Sequence, residues 1–407
     1  MTSSYHLEDR GKNVPKLRFK EYNDEWKRVK TEEIFENISI KNNPLLPVLA
    51  VTQDKGVILR ESCGINIKYE NKSLKSYKIV KPGNFIISLR SFQGGLEYSE
   101  LEGIVSPAYT ILNNKQNISY DFFKYYFKTY NFIKSLNIAV EGIRDGKQIS
   151  YNSFKDIKIA FPSLPEQEKI ASFLTLIDKK IEKQKELVEL LKKYKRGLLS
   201  AIFSQKLRFK DDNGNDYPTW EEKALGEVTG NISYGLNAAS KDYDGENKYI
   251  RITDIDETTG KFNNLDIVSP DCVLSDDYKL KINDLLFART GASTGKTYLY
   301  NENDGKMYFA GFLIKFSIKE EYYSNFIFYI TQTSKYKKWV SIMSTRSGQP
   351  GINAKEYSKY KFSCPVYNEQ VKISNIISKI DNIIEKANIL LDFYNDYKKG
   401  LLQKMFI

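Results

Sequence analysis

A mixed α+β fold, in which two similar domains alternate with two long helices, is what this chain of 407 residues predicts. Two observations carry the prediction. The chain repeats itself: Pro165–Ser204 aligns without a gap on Asn368–Ile407 at an offset of 203, and 16 of the 40 positions are identical. Such internal repetition is the signature of a duplicated architecture. Both copies also carry apolar residues at spacings of three and four over five heptads, which marks a helix with a seam meant for another helix. Two matching seams in one chain are expected to pack as a coiled-coil-like antiparallel pair with pseudo-twofold symmetry.

Taken in order, residues 1–14 read as an N-terminal tail holding the only histidine, His6. Residues 15–160 form the first domain. It opens on Lys16-Leu17-Arg18-Phe19-Lys20, followed by Trp26. The run Val80-Lys81-Pro82-Gly83-Asn84-Phe85-Ile86 reads as a turn entering a strand, since Pro-Gly favours turns and Phe-Ile-Ile favours strands. Residues 161–206 form the first long helix, with Pro162 and Pro165 at its start, where proline breaks no hydrogen-bond ladder. Its seam runs through Ile170, Ile177, Ile181, Leu191 and Tyr194. Charges such as Lys179, Lys180, Lys183 and Glu186 read as a solvated outer face.

Residues 207–363 form the second domain. Lys206-Leu207-Arg208-Phe209-Lys210 and Trp220 repeat the opening of the first. Leu280-Lys281-Ile282-Asn283-Asp284-Leu285-Leu286 repeats its turn and strand, and Phe309-Ala310-Gly311-Phe312 faces Ser106-Pro107-Ala108-Tyr109. Residues 364–407 form the second long helix, introduced by Pro365, with seam residues Ile373, Ile380, Ile384, Leu391 and Tyr397, and the ten seam residues together are the expected helix-pair and partner interface. The helices repeat more closely than the domains, so the domains are expected to bind different things.

Composition narrows the chemistry. Hydrophobic residues at 41% and aromatics at 14% are ample for real cores. No apolar run reaches the ~18–20 residues that span a bilayer, and no secretory signal is visible, so no membrane association is expected. The three cysteines, Cys63, Cys272 and Cys364, are scattered and odd in number. That argues against a disulfide framework or zinc site and for a cytoplasmic location. The formal charge of +11 suits a nucleic-acid binder or a lysine-rich surface equally well. The sole histidine, His6, lies in the expected tail, which argues against a Ser-His-Asp triad, and one histidine cannot supply a two-histidine metal site.

Three motifs invite catalytic readings. Gly291-Ala292-Ser293-Thr294-Gly295-Lys296-Thr297 looks like a phosphate loop but has three residues between its glycines instead of four. A loop contacting DNA fits better, because Arg289, Thr290, Ser293 and Lys296 offer hydrogen bonds to bases and phosphates. Asp271 and Asp277 resemble a nuclease pair but are too close in sequence for neighbouring strands. Asn43-Pro44-Leu45-Leu46 lacks the second proline and the aromatic of an adenine methyltransferase loop. The sequence therefore predicts no catalytic residue, no bound cofactor and no metal in this chain.

The sequence resembles the specificity subunits of type I restriction-modification systems over about residues 15 to 407. The marks are Leu164–Glu182 with its counterpart Asn368–Glu385, Asn283–Lys296, and Gly83–Leu112. The resemblance implies two target-recognition domains held by two antiparallel helices, each domain reading one half of a bipartite, asymmetric site in double-stranded DNA. It implies docking of two modification subunits that methylate adenine with S-adenosylmethionine, and of restriction subunits that use ATP and Mg. The chain itself would be non-catalytic. A stand-alone tandem DNA-binding protein, or a nuclease, is the alternative. Candidate base readers are Arg60, Arg90, Ser91, Phe92, Gln93, Arg144, Lys147 and Gln148 in the first domain. In the second they are Arg251, Arg289, Thr290, Ser293, Lys296, Arg346, Ser347 and Gln349. Arginine and glutamine pair bidentately with guanine and adenine.

Overall fold

The computed structural model describes residues 13–53, 55–63, 71–139, 149–345 and 349–407, the side chains of 71–73 excepted. It resolves into two compact units, Met1–Lys185 with Ile389–Ile407, and Glu186–Asn388. Each unit is therefore one mixed domain together with a stretch of each long helix. The helices span Leu164–Phe203 and Tyr367–Met405. Among the described residues no helix is long and apolar enough to cross a membrane.

In the first unit, a four-stranded antiparallel sheet has the order Phe35–Ile38, Thr110–Asn114, Phe85–Ile87, Glu97–Tyr98. Helices Tyr120–Tyr126 and Tyr130–Ile138 follow it in the chain, and each begins with a hydroxyl cap: Ser119 accepts from Phe122 and Thr129 from Phe132. The core between sheet and helices is aromatic, with Phe35, Phe85, Phe122, Phe123, Phe127 and Phe154 fully enclosed. Lys27–Lys30 pairs with Lys158–Phe161 and closes the domain just before the first long helix.

The second unit repeats this plan. Its sheet runs Thr229–Tyr234, Leu313–Ile318, Asp284–Ala288, Thr297–Leu299. Helices Ser324–Thr331 and Ser334–Met343 follow, and Glu221–Ala224 pairs with Lys361–Cys364 as the closing ladder. Two further two-stranded sheets belong to this unit, an antiparallel pair of Ser240–Asp242 with Val268–Pro270 and a parallel pair of Lys248–Ile250 with Met307–Phe309.

Within each unit the two long-helix stretches run antiparallel. In the first, Ile170 and Leu174 share a core with Leu401, Met405 and Phe406, while Asp178 pairs with Lys398 at 2.6 Å. In the second, Ile373 and Ile377 pack with Leu199 and Ile202, while Asp381 pairs with Lys195 at 2.6 Å. Ile170, Ile373, Ile380 and Ile384 are buried, as the seam requires, and Ile177, Ile181, Leu191 and Leu391 are half-buried. Tyr194 and Tyr397 depart from the seam: they are 60% and 46% exposed. Their phenol rings lie on the outer face of the helix, where the hydroxyl stays in water.

The identities between the repeats are explained by a duplicated polar network. Glu166, buried at the start of its helix, receives Arg18 Nε and Nη2 at 2.7 Å each and Trp26 Nε1 at 3.4 Å. Glu369 receives Arg208 at 2.9 and 3.0 Å and Trp220 at 3.0 Å. Gln167 bridges the amide of Ser119 and the carbonyl of Pro162, as Gln370 bridges Tyr323 and Pro365. The Tyr125 hydroxyl donates to Asp178 and that of Tyr329 to Asp381. Burial, with the carboxylate beside it, pushes both tyrosines above their ordinary values. A buried carboxylate needs such partners, or its desolvation would cost several kcal/mol.

Candidate nucleic-acid interface

One candidate surface lies at the end of the second unit's central strand. Asn283 turns with φ 71, and the Asp284 carboxylate caps the turn by accepting from the Lys281 amide at 2.8 Å. The strand Asp284–Ala288 is buried throughout and delivers Arg289 to the surface. The loop beyond is closed upon itself. Gly291 donates to Pro350, Thr294 to Gly291, Gly295 to Ala288 and Lys296 to Ser293. Those four amides are spent inside the loop and are not free to cradle a phosphate.

The side chains at this strand end are held in place. The Arg289 guanidinium lies over the Tyr234 ring at 5.0 Å, and the Tyr234 hydroxyl accepts from the Ala354 amide. A bridge between Thr290 and Gly351 ties the loop to the segment carrying Gln349, which is exposed. Gly291, at φ 73, would place a Cβ 3.3 Å from Gln349 Nε2. Phe312, whose carbonyl accepts from the Arg289 amide, is 58% exposed. Thr290 and Ser293 are half-exposed, and Lys296 lies 3.8 Å from Glu257.

Sequence reasoning missed Tyr234 and Phe312. Phe312 stood in the repeated Phe309-Ala310-Gly311-Phe312 element, where the glycine was the only signal of a turn. Tyr234 carried no signal, because only the register of its strand on Leu313–Ile318 brings it beneath Arg289.

The first unit presents a different surface at the equivalent strand end. Arg90 and Gln93 are exposed, and the Arg90 carbonyl accepts from Gln53 Nε2 at 2.6 Å. Two neighbours are engaged within the unit. Ser91 is buried and caps its own turn by accepting from the Ser88 amide. Phe92 is half-buried and packs on the core. Gly95 has φ 81, and a Cβ there would sit 1.9 Å from the Phe127 carbonyl, so only glycine fits. Arg60 is half-buried, with its amide bonded to the Val48 carbonyl.

Arg251 is engaged within its own unit. Its Nε and Nη2 bind Asp254 at 2.9 Å each, and Nη2 reaches Asp266 at 3.1 Å. These bonds raise its pKa and commit the fork of donors to the fold. Arg144, Lys147, Gln148, Arg346 and Ser347, and likewise His6, lie outside the described residues.

The nuclease-like carboxylates do not converge. Asp277 accepts from Ser275 Oγ at 3.0 Å, and Asp271 lies 3.9 Å from Lys241. Among the described residues no three side chains of His, Cys, Asp or Glu gather as a metal site.

Comparison with known proteins agrees with the duplication. Two copies of a family model, the type I restriction modification DNA specificity domain, match residues 23–192 and 206–391. The chain is 24% identical over 267 residues to the type I restriction enzyme StySPI specificity subunit of Salmonella potsdam, covering 62% of this chain. That match spans 58% of the relative's length. It is 25% identical over 344 residues to the MjaVIII specificity subunit of Methanocaldococcus jannaschii, covering 78% of this chain and 76% of the relative. Among solved structures, the S subunit of a type I restriction-modification system from M. genitalium superposes with a TM-score of 0.56 at 15% identity, covering 97% of this chain and 99% of that one. A chain from a study of type I R-M complex assembly and conformational transition gives 0.57 at 15% identity, covering 94% and 97%.

Proposed function

As this chain belongs to the family defined by the type I restriction modification DNA specificity domain, we propose that it is the DNA-reading, non-catalytic subunit of such a complex. Each unit reads one half of a bipartite, asymmetric site in duplex DNA, and partner subunits methylate or cut. S-adenosylmethionine, ATP and Mg belong to those partners.

One observation carries the reading. The polar network that builds the scaffold is repeated residue for residue, whereas the surfaces at the two equivalent strand ends are not. Arg289 stacked on Tyr234 beside Gln349 stands in the second unit where Arg90 and Gln93 stand in the first. A duplicated frame with diverged tips suits two readers of different sequence.

The long helices support a partner role. Leu187, Leu190 and Tyr194 are exposed on the first, and Leu390, Phe393 and Tyr397 are exposed at the equivalent positions of the second. Apolar side chains repeated on an outer face suit one kind of partner bound twice, here two modification subunits.

Replacing residues 15–160 with the matching segment of a relative, followed by genome-wide mapping of methylated adenines, tests the reading. One half of the motif should change while the other half and the spacer persist. Change in both halves, or in neither, overturns it.

A further inference from the structure

The second unit holds a cleft of about 600 Å³, bounded by the reading loop on one side and by its long-helix stretches on another. Leu199, Val340 and Ile384 give it an apolar floor. Lysines and an arginine ring it: Lys192, Lys195, Arg196, Lys296 and Lys337. Its volume lies in the range of small-molecule sites.

The charges on the rim are not all spoken for. Lys195 is paired with Asp381, and Lys296 approaches Glu257. Asp256 accepts the amides of Thr258 and Thr259. The side chains of Arg196 and Lys337 have no ion pair or hydrogen bond among the described residues. Burial draws the Lys195 ammonium below its ordinary value against the pull of Asp381, and Lys261 and Lys337 add repulsion.

Apart from Lys195, the rim is not part of the duplicated scaffold. Lys195, Asp381 and Tyr329 recur as Lys398, Asp178 and Tyr125. At the positions equivalent to Lys192 and Lys337 the first unit has Asn395 and Ile133. Lys399 stands for Arg196, but it is paired with Asp396. Holding the helices together does not require these cations.

We propose that the cleft binds a nucleotide, with its phosphate on Arg196 and Lys337 and its flat ring on the Leu199–Val340–Ile384 floor. Arginine matches phosphate bidentately and lysine supplies a point charge. Since four of the loop amides are spent inside the loop, recognition rests on these side chains. The nucleotide is either a link in a DNA strand, which rests on the function proposed above, or a free nucleoside phosphate, which does not. Since Thr294 and Lys296 line the cleft, occupancy braces the loop that carries Arg289.

The test uses the full chain, alone and reconstituted with its modification subunits, as wild type and as Arg196→Gln/Lys337→Gln. ATP is titrated calorimetrically, and a labelled duplex is titrated across a salt series. For a DNA link, the slope of log Kd against log salt falls by about 0.9 for each phosphate contact removed. Lys337→Arg should keep its share of the slope. For a free nucleotide, wild type binds ATP and the double variant binds it at least tenfold more weakly. No ATP binding together with an unchanged slope overturns the proposal. Failure of wild type to bind any duplex counts against the DNA-reading function and leaves the ATP arm to decide the cleft.

Discussion

Glu369→Ala is the most direct probe of the duplicated frame. The Glu369 carboxylate is fully buried and receives three donors, two from Arg208 and one from Trp220. Breaking a buried ion pair by removing one partner costs about 3–5 kcal/mol. Here that figure is discounted, because the Arg208 side chain is 29% exposed and keeps the carbonyls of Tyr217 and Pro218. The buried indole N–H of Trp220 then loses its acceptor, which costs about 1–3 kcal/mol. Together these give about 4 kcal/mol. For a unit of roughly 200 residues each kcal/mol moves Tm by about 2–4 °C, so the loss is about 8–16 °C. Glu166→Ala should weight the same two effects differently. Arg18 is only 10% exposed, so the unpaired guanidinium costs more, while Trp26 at 3.4 Å contributes less. Differential scanning calorimetry reads both. A Glu369→Ala protein melting within 2 °C of wild type would mean that water already satisfies Arg208 and Trp220, and the account of the network would fail.

Other substitutions follow from the same geometry. Ile380→Asp puts an unpaired carboxylate at a position 9% exposed in the helix seam, and should cost several kcal/mol and weaken co-purification with partner subunits; an unchanged melting curve would place Ile380 at the surface. Arg251→Ala should lower Tm and leave the methylated motif unchanged, because its donors are spent on Asp254 and Asp266; a changed motif would return it to the readers. Cys364 is buried with its thiol pushed up to about 12, so at pH 8 a thiol reagent should label the exposed Cys272 and reach Cys364 only on unfolding. Rapid labelling of Cys364 in the native protein would contradict its burial.

The frame was legible in the sequence because its signals are local. Spacings of three and four gave the helices, and turn residues gave the strands at Phe85 and Asp284. Repetition gave the rest. Arg18, Trp26 and Glu166 could be paired with Arg208, Trp220 and Glu369 by alignment, although nothing in the sequence showed that the three residues meet. The departures have one physical source, since exposure is settled by tertiary packing that residue type does not encode. Tyr194 and Tyr397 fit an apolar seam by spacing, but a phenol is at ease half in water. Arg251 and Ser91 have the chemistry of readers, yet Asp254 and Ser88 lie three residues away and claim them. Tyr234 and Phe312 escaped notice because strand register, not composition, sets them around Arg289.

The composition of the units yields a last prediction. The second unit is one continuous stretch: half a helix, a domain, half a helix. The first has the same parts in permuted order, its second half-helix arriving from Ile389–Ile407. Leu401, Met405 and Phe406 from that stretch sit in the first unit's core, each 3 or 4% exposed, and Phe406 meets the rings of Trp26 and Phe122. Ending the chain after Asn388 therefore removes three large core side chains from the first unit and none from the core of the second. At about 3 kcal/mol for each large apolar group lost, the deficit is about 9 kcal/mol, comparable with the whole stability of an ordinary domain. The expected result is a chain whose residues 15–160 exchange amide hydrogens rapidly while 207–363 stay protected. Supplying residues 389–407 as a separate peptide should restore protection to the first unit. If the truncated chain instead keeps both units equally protected, the C-terminal stretch is not part of the first unit's core, and the permuted organisation is refuted.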